Sequence, residues 1–239
     1  PVLHALITVL LTAAVIKQGL SATTAEQGLA LAKRIEAKAQ GYGDSKNTLV
    51  MLLKNAQGQV SKRKLRIQSI EIPNDGDRSI TIFDEPKDVR GTAFLVWAHK
   101  GNADDEQWLY LPAVKRVKRI AADNKSGSFM ASEFTYEDLG AQVLDKYTYR
   151  LLPDVKLNTS TGKVDCHVLE RTPKDPKSAY SKQIAWLDKS ELRLQKVEFY
   201  DKRNLLLKVL TADNYKKYGN YWRPLKMEMS NKQTGKSTT

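Results

Sequence analysis

The stretch TAFLVWAHKGNADDEQWLYL, residues 92–111, decides the fold class of this chain. It holds two short apolar runs, residues 92–98 and 107–111, with turn-forming Gly, Asn and Asp residues between them. Such runs predict two antiparallel strands joined by a short connection. In both runs, apolar residues occupy even-numbered and odd-numbered positions alike. Each predicted strand therefore has apolar side chains on both of its faces.

Two arrangements account for strands that are apolar on both faces. The strands could lie in a sandwich core, or one face could pack on a helix while the other lines an apolar cavity. Periodicity alone does not choose between them, and a packed core is the more common case.

The same strand pattern continues in both directions along the chain. Nine further apolar runs are separated by turn residues, and they cover residues 47–53, 60–70, 79–83, 146–152, 164–171, 182–187, 192–200, 205–211 and 221–229. About eleven strands with links of hairpin length predict one mainly β domain with an antiparallel sheet, spanning residues 23–239.

Helical signals are few. Thr23 and Glu26 have the spacing of a capping box, and Leu29 and Ala32 follow at helical spacing, which predicts an N-terminal helix that ends before Gly41. Residues 121–140 are rich in Gly, Ser and acidic side chains and predict a loop with a short helix around residues 134–139.

The first residues have the pattern of a secretory signal. The run LHALITVLLTAAVI, residues 3–16, is uncharged and too short to span a membrane comfortably. Gly19 and Ser21 follow at the positions of a cleavage site, which predicts a signal peptide over residues 1–22 whose basic start is missing; a retained anchor helix is the alternative. Cys166 is the only Cys, so a lipid anchor on a Cys at the mature N-terminus is not expected, and we expect a soluble product outside the cytoplasm.

The charge balance narrows the class of partner. The chain of 239 residues has 39 Lys and Arg against 27 Asp and Glu, a net charge of +12. This indicates an anionic partner such as nucleic acid, a membrane surface or an acidic protein. Nucleic acid is disfavoured outside the cytoplasm. The single Cys excludes an intramolecular disulfide and a Cys-rich metal cluster.

Catalytic motifs are not found in the sequence. It contains no nucleophile elbow, no HExxH, no Walker sequence and no GxGxxG. Cys166 and His167 are adjacent in a predicted strand, so their side chains point to opposite faces and cannot form a dyad. We therefore expect a protein that is not an enzyme and that needs neither a cofactor nor a metal ion.

Two segments stand out as candidate binding elements. Residues 114–120, VKRVKRI, contain Lys115, Arg116, Lys118 and Arg119. They predict a charged edge strand that resists pairing with other chains, a surface for anionic headgroups or an acidic partner, or both. Residues 125–140, KSGSFMASEFTYEDLG, place bulky apolar side chains in a flexible sequence. These side chains either pin down a loop or form a mobile flap over an apolar cavity.

Several motifs in order carry a family resemblance. They are DVRGTA (88–93), DEQWLYLP (105–112), KSGSFM (125–130), FTYEDL (134–139), VEFYD (197–201), YWRP (221–224) and MEM (227–229). With them the chain resembles LolA-like periplasmic outer-membrane lipoprotein-sorting proteins from about residue 25 to residue 239. The family usually continues past the segment that resembles residues 231–235, so one or two final strands are expected to be missing.

The resemblance implies a fold and a function. The fold is an unclosed antiparallel β-barrel with helices that cover an apolar inner face. The function is a periplasmic carrier of lipid or lipoprotein acyl chains towards the outer membrane, working with an inner-membrane transporter of the resistance-nodulation-division type. The alternative is a lipid- or protein-sensing interaction module, either a regulator or a transporter accessory subunit, that transfers no cargo.

Site residues follow from this expectation. The family's arginine that ties barrel to lid cannot be assigned to any single Arg of this sequence. Lys115, Arg116, Lys118 and Arg119 are expected to contact headgroups or a partner. The residues expected at the cavity and its rim are Phe94, Val96, Trp108, Tyr110, Phe129, Phe134, Trp186, Phe199, Trp222 and Met227.

Overall fold

A computed structural model describes residues 22–73, 75–99, 101, 103–140 and 142–239. The predicted signal peptide, residues 1–22, lies outside these residues except for Ala22. No helix within the described part of the chain is long and apolar enough to cross a membrane.

The described residues form one antiparallel sheet and one α-helix, α1 (Thr24–Ala39). The strands are β1 (Asp44–Lys54), β2 (Val60–Ile72), β3 (Gly76–Glu85), β4 (Ala93–Trp97), β5 (Glu106–Leu111), β6 (Arg116–Arg119), β7 (Tyr147–Thr159), β8 (Gly162–Pro173), β9 (Lys182–Asp188), β10 (Leu194–Tyr200), β11 (Leu206–Tyr218), β12 (Tyr221–Asn231) and β13 (Ser237–Thr238).

The strand order is β6-β5-β4-β3-β2-β1-β13-β12-β11-β10-β9-β8-β7. The edge strands β6 and β7 do not pair with each other, so the sheet is an unclosed barrel. The predicted fold class is confirmed. Two strands exceed the predicted eleven, because the basic segment 116–119 pairs with β5 and Ser237–Thr238 pairs with both β1 and β12.

Helix α1 begins at the capping box that the sequence predicts. The backbone N–H of Thr23 donates to Glu26 Oε2 at 2.8 Å, and the Glu26 N–H donates to Thr23 Oγ1 at 3.3 Å. The helix packs on β7 through a face that includes Gly28 and Leu31. A Cβ on Gly28 would lie 2.9 Å from the backbone nitrogens of Arg150 and Leu151, so glycine sets how closely helix and strand approach.

Residues 120–146, which we call the lid segment, connect the edge strands β6 and β7. The short helix expected at residues 134–139 is wrong, because a turn takes its place. The backbone N–H groups of Asp138 and Gly140 donate to the carbonyls three residues earlier, at 3.1 and 3.2 Å, so the chain makes successive tight turns here. The short helical pieces of the segment are 3-10 turns at Ala122–Asn124, Phe129–Ala131 and Leu144–Lys146.

Two apolar clusters fill the space inside the sheet. The first lies between α1 and β8–β12 and includes Leu31, Leu169, Val197 and Met229. The second lies between the lid segment and β2–β5 and is centred on Phe129, whose ring lies 5.0 Å from that of Phe94. The lid segment contacts both clusters, since Phe134 packs on the first and Phe129 belongs to the second.

Candidate functional site

A cavity of about 790 Å³ lies between the inner face of the sheet, α1 and the lid segment. This volume falls within the range of small-molecule binding sites in proteins, roughly 300–1,000 Å³. Most of its wall is aliphatic. The apolar side chains that line it include Ile35, Leu49, Leu65, Leu169, Leu187, Leu194, Val197, Leu210 and Met229.

The cavity brings together part of the expected set of site residues. Phe129, Phe134, Phe199 and Met227 line it. Phe94 and Val96 are buried in the neighbouring cluster beneath Phe129, next to the cavity and not in its wall.

The remaining four expected residues do not line the cavity. Trp108 lies between Gln107 and Leu109, which are both buried. Trp186 lies between Ala185 and Leu187, which both line the cavity. Since side chains alternate across a strand, both tryptophans are on the other face of the sheet, where Trp186 stacks on Lys196 at 4.3 Å. Tyr110 is exposed, and Trp222 stacks on Arg193 at 4.8 Å.

Part of the cavity wall lies where β1 and β12 approach each other. Only the two-residue strand β13 lies between them, paired to Leu53 and Lys54 on one side and to Met229 and Ser230 on the other. Four apolar residues that line the cavity here are also exposed, by 39%, 50%, 61% and 38% for Leu49, Val50, Leu225 and Met227.

Buried polar contacts hold the lid segment on the sheet. Lys208 of β11 donates to Asp138 Oδ2 at 2.6 Å and to the Glu133 carbonyl at 2.9 Å. Tyr180 donates to the other Asp138 oxygen at 2.8 Å. The side chains of Lys208 and Asp138 are 3% and 6% exposed, so this is a buried ion pair.

Two further contacts add to this attachment. Arg63 of β2 donates through Nη1 to the Met130 carbonyl. Burial raises the pKa of the Glu137 carboxyl, which accepts hydrogen bonds from Ser178 Oγ and the Ala179 N–H. Sequence reasoning assigned no side chain to this role. A lysine between leucines in residues 206–210 is the one signal that could have indicated Lys208.

A polar row crosses the inner face beside the apolar wall. Pairing places Tyr149, Arg171, Gln183, Phe199 and Lys208 directly opposite one another on β7 to β11. Lys208 is buried, whereas Arg171 is half-buried, and the partners of the two cations also differ. Lys208 has a carboxylate, whereas Arg171 donates to the amide oxygens of Gln183, at 2.6 Å, and Gln142.

The basic strand β6 is exposed at the edge of the sheet. Lys115 precedes it, and Arg116, Lys118 and Arg119 lie within it, all exposed. Arg119 Nη2 lies 2.6 Å from Glu106 Oε1 on β5. None of these four residues lines the cavity.

Cys166 and His167 are apart, as their adjacent positions in a strand predict. Cys166 is fully buried, and burial raises the pKa of its thiol. His167 Nδ1 lies 2.9 Å from Asp154 Oδ1. Within the described ranges, no group of three or more His, Cys, Asp and Glu side chains could hold a metal ion.

Solved structures of similar proteins share this architecture. An outer membrane lipoprotein-sorting protein domain from Vibrio parahaemolyticus is 53% identical over 90% of this chain and 89% of its own, with a TM-score of 0.84. A DUF1329 family protein from Desulfovibrio piger is 33% identical over 91% of this chain and 90% of its own, with a TM-score of 0.83.

A more distant structure and a family model complete the comparison. The LolA superfamily protein NE2245 from Nitrosomonas europaea is 23% identical over 91% of this chain and 90% of its own, and its TM-score of 0.64 shows a common fold. A family model described as "-like: Uncharacterized protein" matches residues 75–239. No curated protein matches the chain.

Proposed function

Because the chain belongs to the family of the Vibrio parahaemolyticus lipoprotein-sorting domain and the Desulfovibrio piger DUF1329 protein, we propose that it is a periplasmic carrier of acyl chains. Its cargo is the acyl part of a lipid or a lipoprotein, carried from the inner membrane towards the outer membrane. An inner-membrane transporter of the resistance-nodulation-division type is the proposed donor of that cargo.

The cavity, with its mainly apolar wall, is the observation that carries this proposal. Transfer of a 16-carbon chain through water costs on the order of 12 kcal/mol, at about 0.8 kcal/mol per methylene. A cavity of about 790 Å³ with mainly aliphatic walls removes most of that cost.

Filling the cavity is expected to abolish cargo binding. Ala185 is buried in the cavity wall on β9, and Ala185→Trp would put an indole where a chain is to lie. Thr172→Trp is the matched control, because Thr172 is exposed on the neighbouring strand β8. We expect saturable binding of a fluorescent fatty acid by the native protein and by Thr172→Trp, and at least about 10-fold weaker binding by Ala185→Trp. Absence of saturable binding by the native protein would refute the carrier.

The basic residues at β6 are proposed to contact anionic headgroups when the carrier meets a membrane. Each Lys or Arg near an anionic surface contributes about 1 kcal/mol. Replacing Lys115, Arg116 and Lys118 by Gln is therefore expected to weaken sedimentation with phosphatidylglycerol vesicles on the order of 100-fold at low salt. Binding to phosphatidylcholine vesicles should not change, and equal losses on both vesicles would exclude a headgroup contact.

The molecules that co-purify with the protein from the periplasm distinguish a carrier from an interaction module. Mass spectrometry of a carrier is expected to detect co-purified lipid or lipoprotein. A stoichiometric protein partner without lipid would favour the module.

A further inference from the structure

Arg171 places a cation in a cavity built mainly of aliphatic side chains. Its side chain lines the cavity together with Gln142, Tyr147 and Gln183. Arg171 Nε donates to Gln183 Oε1 at 2.6 Å, Nη1 donates to Gln142 Oε1, and the guanidinium lies 5.4 Å from the Tyr147 ring centre. All three partners are neutral, and no ion pair joins Arg171 to a carboxylate of the described residues.

The contrast with Lys208 indicates what is missing. Both cations belong to the polar row on the inner face, where Lys208 is buried and Arg171 is half-buried. A charge that loses hydration in this way is normally paired with an anion. Lys208 follows this rule through Asp138. The carboxylates of Asp138 and Glu137 influence Arg171 by electrostatic attraction, but their hydrogen bonds come from other groups. Asp138 accepts from Lys208 and Tyr180, and Glu137 accepts from Ser178 and Ala179.

Burial lowers the pKa of the Arg171 guanidinium from its ordinary value, yet arginine remains protonated in proteins. Its planar group has five N–H donors arranged to bind the two oxygens of a carboxylate or phosphate. With two of these donors bonded to amide oxygens, the others can serve an anion.

The next row of the sheet suits the tail of such a ligand. Two residues along each strand from the polar row lie Leu169, Ala185, Val197, Leu210 and Met229. All five line the cavity and all are buried. Met227 and Leu225 continue this wall along β12.

We infer that the cavity selects amphiphiles with an anionic head, a carboxylate or a phosphate, which binds to Arg171 while the acyl chain lies along the apolar row towards β1 and β12. This inference rests on the proposed function and names the class of its cargo. It makes Arg171 a specificity-determining residue, because a neutral head of the same chain length would leave the guanidinium without an anion.

The test compares three ligands of equal chain length: palmitate, hexadecyl phosphate and hexadecanol. Calorimetric titration of the native protein should give affinities for at least one anion that exceed the affinity for hexadecanol by about 10-fold or more. This measurement needs no variant, so it is independent of any folding defect.

Variants then assign the preference to one side chain. Arg171→Gln is expected to weaken the affinity for the preferred anion by about 10- to 100-fold. The affinity for hexadecanol should stay within about twofold of the native value. Arg171→Lys, which keeps the charge, should restore part of the loss. Arg150→Gln is the matched control, because Arg150 is exposed on β7 and pairs with Glu170 at 3.0 Å.

The outcomes separate the two proposals. If Arg171→Gln loses affinity only for palmitate or only for hexadecyl phosphate, the result supports Arg171 as the anion site and identifies the head group that it binds. Equal losses for all three ligands, or no loss for either anion, overturn the inference but leave the carrier intact. If the native protein binds none of the three, the carrier fails and the inference fails with it.

Discussion

Asp138→Ala is expected to lower the free energy of unfolding by about 3–5 kcal/mol. The substitution leaves the Lys208 ammonium, 3% exposed, without its carboxylate. The Glu133 carbonyl and the faces of Tyr180 and Phe199, each 5.2 Å away, are the contacts that remain to it. An uncompensated buried charge costs several kcal/mol, far more than the loss of one neutral hydrogen bond.

Urea unfolding followed by circular dichroism measures this effect, and an exposed pair provides the control. Arg66 and Asp84 lie 3.0 Å apart with side chains 49% and 39% exposed, so Asp84→Ala should cost less than about 1 kcal/mol. The double substitution Asp138→Leu with Lys208→Met removes both charges and should recover part of the loss. Recovery stays incomplete because the Tyr180 hydroxyl and the Thr135 N–H lose their acceptor on Asp138. If Asp138→Ala costs no more than Asp84→Ala, the ion pair does not hold the lid segment.

Phe129→Ala is expected to destabilise the protein by about 3–5 kcal/mol. The ring is 2% exposed and packs against Phe83, Phe94 and Tyr136, with ring centres 5.9, 5.0 and 5.8 Å away. Its removal leaves a void beneath the lid segment that the stiff strands β3 and β4 cannot close. A thermal or urea unfolding curve measures the loss.

An exposed apolar residue serves as the comparison. Val114 is 58% exposed, so Val114→Ala should change stability by less than about 0.5 kcal/mol. A small effect of Phe129→Ala together with faster amide exchange over residues 125–140 would show that the segment opens independently of the sheet, which would contradict the attachment described here.

The strands were predictable because their signal is local. Alternating side chains and turn residues mark each strand within ten residues or so, and the capping box marks the start of α1 in four. The basic residues 114–120 predict a charged edge strand, and β6 lies at Arg116–Arg119 on the edge of the sheet.

The inner face was not predictable from the sequence. Side chains alternate between the two faces of a strand, but in residues 93–97 and 108–111 both alternating sets of side chains are apolar. The sequence therefore does not show which of the two sets points inward. Trp108 and Trp186 are among the residues expected at the cavity, yet they lie on the other face of the sheet. The contacts of Lys208 and Arg171 on the inner face are made with partners 70 and 29 residues away, which no local pattern encodes.

The connection from β6 to β7 has a topological consequence. The two free edges of the sheet are the two ends of one covalent strap, so sheet and strap together form a closed ring in which hydrogen bonds supply one arc and peptide bonds the other. A strap fixed at both ends cannot swing open on a single hinge. Widening the interior must separate the edges, lift the middle of the strap, or both, and the length of the strap sets an upper limit on that separation.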